Sequence, residues 1–136
     1  MPQPASTRGW TIEGFRSFWA RPDLSLIARV REICTNDIVG YWPRPIGVVR
    51  DAEAYLAVID AIARVCPDLS LTAPEYACSG DLHFVRWMAT GTGCDGPFAF
   101  NGLDRLRVLP DGRVCENYIF CDHPFFAEVA DYLRRQ

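Results

Sequence analysis

The first half of the chain carries apolar residues at the spacing of amphipathic helices. The clearest case follows Asp51, which can cap a helix that Pro67 ends. Two shorter helices are predicted before it, one beginning after Thr11 and the other after Asp23 or Ser25. This half of the sequence therefore predicts three helices in succession.

The second half alternates apolar and polar residues, a pattern typical of β-strands, and short turns rich in Gly, Ser and Asp interrupt it. Strands are predicted over residues 69–78, 83–92, 98–109 and 113–121, with a shorter extended segment at 36–43 and a last helix after Pro124. Helices followed by a strand meander predict one α+β domain over residues 11–136, and residues 1–10 are predicted to be a disordered lead. A curved antiparallel sheet wrapped around the N-terminal helices would form a cone whose mouth could admit a small molecule.

Asp111-Gly112 predicts a two-residue β-turn of type I′, which fixes the register of the two strands beside it. The predicted cross-strand pairs are Leu109 with Val114, Val108 with Cys115, Arg107 with Glu116, Leu106 with Asn117, Arg105 with Tyr118 and Asp104 with Ile119. Because side chains alternate across a strand, Asp104 and Asn117 fall on the apolar face. A carboxylate on such a face is costly unless it is paired or has a chemical role, so Asp104 is the strongest functional candidate.

Three segments around this hairpin resemble motifs of the nuclear transport factor 2-like superfamily, and within it the SnoaL-like group. Residues 85–93 are similar to the strand that leads into Gly-Thr-His in SnoaL-like polyketide cyclases. Residues 102–107 are similar to the Gly-x-Asp-x-x-Arg strand, and residues 111–116 to the turn Asp-Gly-Lys-Ile-x-Glu. The resemblance covers about residues 11–123 and implies the cone-shaped α+β barrel of that superfamily.

The resemblance carries over to the functional residues only in part. Asp104 matches the aspartate that acts as general acid/base in the cyclases, but Gly93 replaces the histidine that follows Gly-Thr. The limonene-epoxide hydrolases of the superfamily need two further carboxylates, at the positions that Met88 and Ile119 occupy here. Epoxide hydrolysis by that mechanism is therefore disfavoured.

Other residues are candidates for binding a substrate. They are Asn117, Trp87, Tyr41, Trp42, Trp19, Phe15, His83 and Ile119. Asn117 could orient a substrate carbonyl or simply satisfy Asp104, which could itself be structural and paired with an arginine or a backbone amide. The aromatic candidates could stack on a flat ligand or form core, and His83 is more often a satisfied residue than a ligand-binding one.

Composition narrows the partners and cofactors. A net charge of −3 without a basic run argues against nucleic acid, and no apolar run reaches the length of a membrane span. The six cysteines form no CxxC motif and no cluster with histidine, which argues against a metal site. Because the sequence shows no export signal, we expect the cysteines to be reduced and the protein to be cytoplasmic. Most of the cysteines are expected to pack as small apolar residues, and a catalytic thiol is the alternative.

The leading hypothesis is therefore cofactor-free acid/base chemistry on a hydrophobic substrate, of the cyclase, isomerase or dehydratase type. The resemblance implies a cyclic or polyketide-like molecule, and Asp104 would move the proton. A non-catalytic ligand-binding or dimeric association module of the same fold is the alternative, and a protein adaptor is a third. The outer face of the sheet, with Arg105, Arg107 and Tyr118, is expected to form a homodimer interface.

Overall fold

Four α-helices and six β-strands follow one another in residues 9–136, the part of the chain that the computed structural model describes. The helices are α1 (Ile12–Ala20), α2 (Ile27–Glu32), α3 (Ala52–Val65) and α4 (Phe125–Arg134), with a 3₁₀ turn at Leu24–Leu26. The strands are β1 (Cys34–Trp42), β2 (Gly47–Arg50), β3 (Ser70–Ser79), β4 (Leu82–Gly93), β5 (Gly96–Val108) and β6 (Val114–Phe120). The predicted α+β class is confirmed, whereas most of the predicted lead lies outside the described residues.

Short polar side chains begin α1, the 3₁₀ turn and α3, as the sequence predicts. Thr11 accepts a hydrogen bond from the backbone N–H of Gly14 (2.9 Å), and Asp51 accepts one from Ala54 (2.9 Å). Asp23 caps the 3₁₀ turn by accepting from the backbone N–H of Ser25. Each contact satisfies a donor that the first turn of a helix leaves without a partner.

All six strands form one sheet in the order β2-β1-β6-β5-β4-β3. The sheet is mixed rather than wholly antiparallel, because β1 runs parallel to β6 while every other neighbouring pair is antiparallel. Parallel neighbours need a long crossover connection, which here is the whole segment from β2 to β5. β2, which no sequence pattern indicated, pairs with β1 at the edge of the sheet.

The β5–β6 hairpin keeps most of the predicted register but not the predicted turn. The pairs from Asp104–Ile119 to Arg107–Glu116 are confirmed, and the register then shifts so that Val108 faces Val114. Gly112 has a positive φ (89°) and Asp111 does not, so the turn cannot be type I′. Pro110 favours a type I turn, which Gly112 closes by donating its N–H to the carbonyl of Leu109, and Cys115 becomes the extra residue of a bulge.

The helices cover one face of the sheet, and the apolar core lies between the two layers. α3 contributes most of its buried residues to this core, among them Tyr55, Ile59 and Ile62, and α4 adds Phe125 and Val129. None of the helices of the described chain is long and apolar enough to cross a membrane. The core is not filled completely, and the remaining space is the candidate site.

Candidate functional site

A cavity of about 310 Å³ lies between the helices and the inner face of the sheet. Its volume falls at the lower end of the range typical of small-molecule sites, roughly 300–1,000 Å³. The wall is mostly apolar, and its exposed members Gly14, Ser17 and Arg29 belong to the first two helices. The cavity therefore opens to solvent between α1 and α2.

Asp104 projects from β5 into the wall of this cavity. The residue is only 7% exposed. Its Oδ1 accepts a hydrogen bond from Trp87 Nε1 (2.9 Å), and its Oδ2 accepts one from Asn117 Nδ2 (3.2 Å). Burial raises the pKa of Asp104 to about 6 from its ordinary 3.8, although both hydrogen bonds favour the charged form. A carboxyl group with that pKa can take up and release a proton near neutral pH.

Gly102 allows Trp87 to reach Asp104. The two residues are paired directly across β4 and β5, and Asp104 follows two positions later on the same face. A Cβ atom on Gly102 would lie 2.4 Å from Cζ2 of Trp87, so the indole ring lies where a side chain would otherwise stand. The missing side chain thus lets the indole lie across the strand and donate to the carboxylate.

Asn117 connects Asp104 to Tyr55, a residue that the sequence analysis assigned to no site. The Nδ2 atom that contacts Asp104 also lies 2.9 Å from the hydroxyl oxygen of Tyr55. Asn117 is 2% exposed and Tyr55 is 6% exposed, and both line the cavity. A hydroxyl on the apolar face of α3 was the available signal, but tyrosine at helical spacing is usually core.

Most of the predicted binding residues meet at this cavity. Besides Asp104 and Asn117, the wall includes Phe15, Trp19, Trp42, Trp87 and Ile119. The helices supply the first two of these aromatic side chains and the sheet supplies the rest.

Tyr41 and His83 do not line the cavity. Tyr41 precedes the inward-facing Trp42 on β1, so it points to the outer face, where its ring stacks on Tyr118 at 3.8 Å. His83 shares the inner face with Trp87 but lies beyond the cavity, where its Nδ1 is 2.7 Å from the hydroxyl of Tyr76.

Gly93 also lies away from the cavity, at the tip of the β4–β5 hairpin. A Cβ there would be 3.2 Å from Glu128 and 3.3 Å from Phe98. A histidine at this position in the present backbone would thus meet the start of α4 rather than Asp104. None of the six cysteines forms a disulfide, and the described residues include no cluster of three or more metal-ligating side chains.

The comparison with known families decides the relationship of this chain. The family model of the SnoaL-like domain matches residues 12–117. The chain belongs to the SnoaL-like domain family. The matched segment includes Asp104 and Asn117 and every strand of the sheet except the last residues of β6.

Several solved structures of other proteins have the same fold as this SnoaL-like chain. Wild-type IdmH from Streptomyces antibioticus, a polyketide cyclase candidate, is similar with 25% identity and a TM-score of 0.69, over 97% of this chain and 99% of that one. A SnoaL-like polyketide cyclase candidate from Jannaschia sp. CCS1 has 17% identity and a TM-score of 0.70, over 88% and 89% of the two chains.

A steroid delta-isomerase from Pseudomonas aeruginosa shares the fold at 14% identity and a TM-score of 0.68, over 96% of this chain and 89% of that one. No curated protein sequence matches this chain at a significant level. The recognised relationship is thus the SnoaL-like family and the nuclear transport factor 2-like fold.

Proposed function

We propose that this protein is an enzyme that moves a proton on an apolar, cyclic or polyketide-like small molecule, with Asp104 as its general acid/base. One observation carries the proposal: a carboxyl group with a pKa of about 6 lies in the wall of an apolar cavity. A buried carboxylate is disfavoured unless it has a partner or a role. Its neutral hydrogen-bond donors compensate only part of that cost, since the pKa stays raised.

The chemistry that suits this arrangement is proton transfer at a carbon beside a carbonyl. Asp104 in its charged form takes the proton, the electron pair of the broken C–H bond forms a carbon–carbon double bond, and the π pair of the carbonyl group moves to its oxygen. Asp104 then returns the proton to another atom of the substrate. Cyclisation, double-bond isomerisation and dehydration can all begin with this step, and it uses only side chains of this chain.

The relatives support this class of substrate without defining it. Among the similar structures, IdmH and the protein from Jannaschia carry names of polyketide cyclases, and the protein from Pseudomonas aeruginosa is named a steroid delta-isomerase. Polyketides and steroids are both largely apolar, which agrees with the wall of the cavity. Trp87 and Trp42 offer flat faces against which a ring system could pack.

Exchange of carbon-bound protons tests the proposal without knowledge of the natural substrate. The probe is 2-tetralone, a bicyclic ketone whose α-protons exchange with deuterium in D₂O. Wild-type protein should accelerate the exchange, and Asp104→Asn should abolish the acceleration while it still binds the ketone. Equal exchange rates with wild type and variant, despite binding by both, would show that Asp104 is structural.

A homodimer through the outer face of the sheet is a second proposal, and an exposed aromatic patch favours it. The rings of Tyr41, Tyr118 and Phe120 stack in a row, and Phe120 is 52% exposed. Arg105 and Glu116 form an ion pair beside this row, so a second copy related by a two-fold axis would meet charges of both signs.

The association state in solution tests the dimer. Wild-type protein should sediment as a dimer and Phe120→Arg as a monomer, because the new charge would be buried against the partner's aromatic row. A monomeric wild type would refute this proposal.

A further inference from the structure

The cavity wall carries one charged side chain besides Asp104 among residues 9–136, and it is that of Arg29. Asp104 is buried inside the protein, whereas Arg29 is exposed at the opening between α1 and α2. The other residues of the wall are uncharged, and most of them are apolar. The proposed proton transfer uses Asp104 and gives no role to the positive charge at the opening.

Arg29 occupies a position on its helix where an apolar side chain would be expected. The other residues of this helical segment that line the cavity are apolar and follow helical spacing: Leu26, Val30 and Ile33. Arg31 does not line the cavity, and its Nε lies 3.2 Å from Oε1 of Glu53. Arg31 is thus an ordinary surface arginine with an acidic partner, whereas Arg29 belongs to the face of the helix that meets the cavity.

The guanidinium of Arg29 is free to bind an anion. None of the ion pairs within residues 9–136 involves it. Arginine binds carboxylates well, because two parallel N–H groups can contact both carboxylate oxygens. One guanidinium balances one negative charge, which suits a carboxylate better than a phosphate group that carries nearly two.

The two charges of the wall also determine the direction in which such a ligand would bind. A carboxylate beside the ionised Asp104 would be repelled, and the repulsion is strong in apolar surroundings. At the opening, the carboxylate keeps part of its hydration and lies near the positive charge of Arg29. The apolar body of the ligand then fills the cavity and reaches toward Asp104.

We propose that Arg29 binds a carboxylate of the substrate at the opening of the cavity, so that the protein selects apolar acids over their neutral analogues. The inference rests on the proposed function and narrows its substrate class to acids whose reacting carbonyl group lies at the end remote from the carboxylate. Arg29 contacts only the outer end of this substrate. It therefore determines affinity, and its loss should raise KM while kcat changes little.

Two ligands that differ only in charge test this role. The probes are 4-(2-naphthyl)butanoate and 4-(2-naphthyl)butanamide, which share an apolar ring system and differ at the end of the side chain. At neutral pH, wild-type protein should bind the acid more tightly than the amide. Arg29→Gln should weaken binding of the acid roughly 3- to 10-fold, as expected for a partly exposed ion pair with paired hydrogen bonds, and leave the amide unchanged.

Arg21→Gln is the matched control, since Arg21 is an exposed arginine at the end of α1 that does not line the cavity. This variant removes the same charge and should leave both affinities unchanged. Arg29→Lys should retain part of the preference for the acid, because lysine keeps the charge but not the planar pair of donors. Added salt should weaken binding of the acid to wild type more than to Arg29→Gln.

Three results would overturn the inference: an unchanged affinity of Arg29→Gln for the acid, an equal loss in Arg21→Gln, or a wild type that does not prefer the acid or binds neither probe. An equal loss in Arg21→Gln would mean that the general charge of the surface attracts the acid. The binding measurements need no proton transfer, and 2-tetralone carries no charge. Ketone exchange can therefore succeed while the role of Arg29 fails, and the reverse also holds.

Discussion

Replacing Asp104 by asparagine should remove a loss of stability that wild type undergoes as the pH rises toward neutral. In the folded protein the pKa of Asp104 is about 6, and its ordinary value is 3.8. Between these two values the folded state binds more protons than the unfolded state, so this group lowers stability as the pH rises. The whole shift corresponds to about 3 kcal/mol, of which wild type loses roughly 2–2.5 kcal/mol between pH 4 and 8 and Asp104→Asn loses none.

Urea denaturation of both proteins from pH 4 to pH 8 measures this effect. The free energy of unfolding of Asp104→Asn, relative to wild type, should increase by roughly 2–2.5 kcal/mol across that range, because the other titrating groups contribute equally to both proteins. Asp68→Asn is the matched control. Hydrogen bonds from Thr92 lower the pKa of Asp68 below its ordinary value of 3.8, so the stability difference between that variant and wild type should stay nearly constant from pH 4 to pH 8 and change only below pH 4.

A stability difference between wild type and Asp104→Asn that does not change with pH would refute the reasoning. It would mean that burial does not destabilise the charged form of Asp104, and the main argument for its proton-transfer role would then fail. A difference that changes only below pH 4, with wild type gaining stability there as the pH rises, would indicate a structural carboxylate whose partners lower its pKa, as those of Asp68 do.

Three further substitutions test how the site is built. Trp87→Phe removes a donor that favours the charged form of Asp104, so the midpoint of the pH profile of ketone exchange should move above its wild-type value. Gly102→Ala should shift it in the same direction, because the new Cβ displaces the indole ring, and urea denaturation should show a loss of roughly 1–3 kcal/mol from overpacking. Gly93→His protein should catalyse ketone exchange at the wild-type rate, since the new side chain would meet Glu128 instead of Asp104. A faster rate would show that the hairpin tip reaches the cavity.

The link between Asp104 and Asn117 could be predicted from the sequence because it depends on strand parity. Once two strands pair, the period of two assigns every side chain to a face. The bulge at Cys115 offsets the one-residue difference in register at the turn, so the pairs beyond it are those predicted. By the same rule Tyr41 and Trp42 cannot both face the cavity, because they are neighbours on β1. The predicted turn type was wrong, because Pro110 favours a type I turn over the type I′ turn that Asp-Gly alone suggests.

The contact between Tyr55 and Asn117 could not be predicted in this way. The two residues are 62 positions apart, and their distance depends on how α3 packs across the sheet. Helical periodicity shows that Tyr55 faces inward but not which strand it meets. The parallel pairing of β1 with β6 and the edge strand β2 are missed for the same reason, since both depend on contacts between distant segments.

The pH dependence of 2-tetralone exchange tests most directly the claim that Asp104 is the proton-transferring group of the cavity. The rate with wild-type protein should rise with pH, show its midpoint near 6 and reach a plateau, because the ionised carboxylate is the base. Asp104→Asn protein should show only the uncatalysed rate at every pH. A midpoint near 4, or a profile that the variant shares with wild type, would contradict the account.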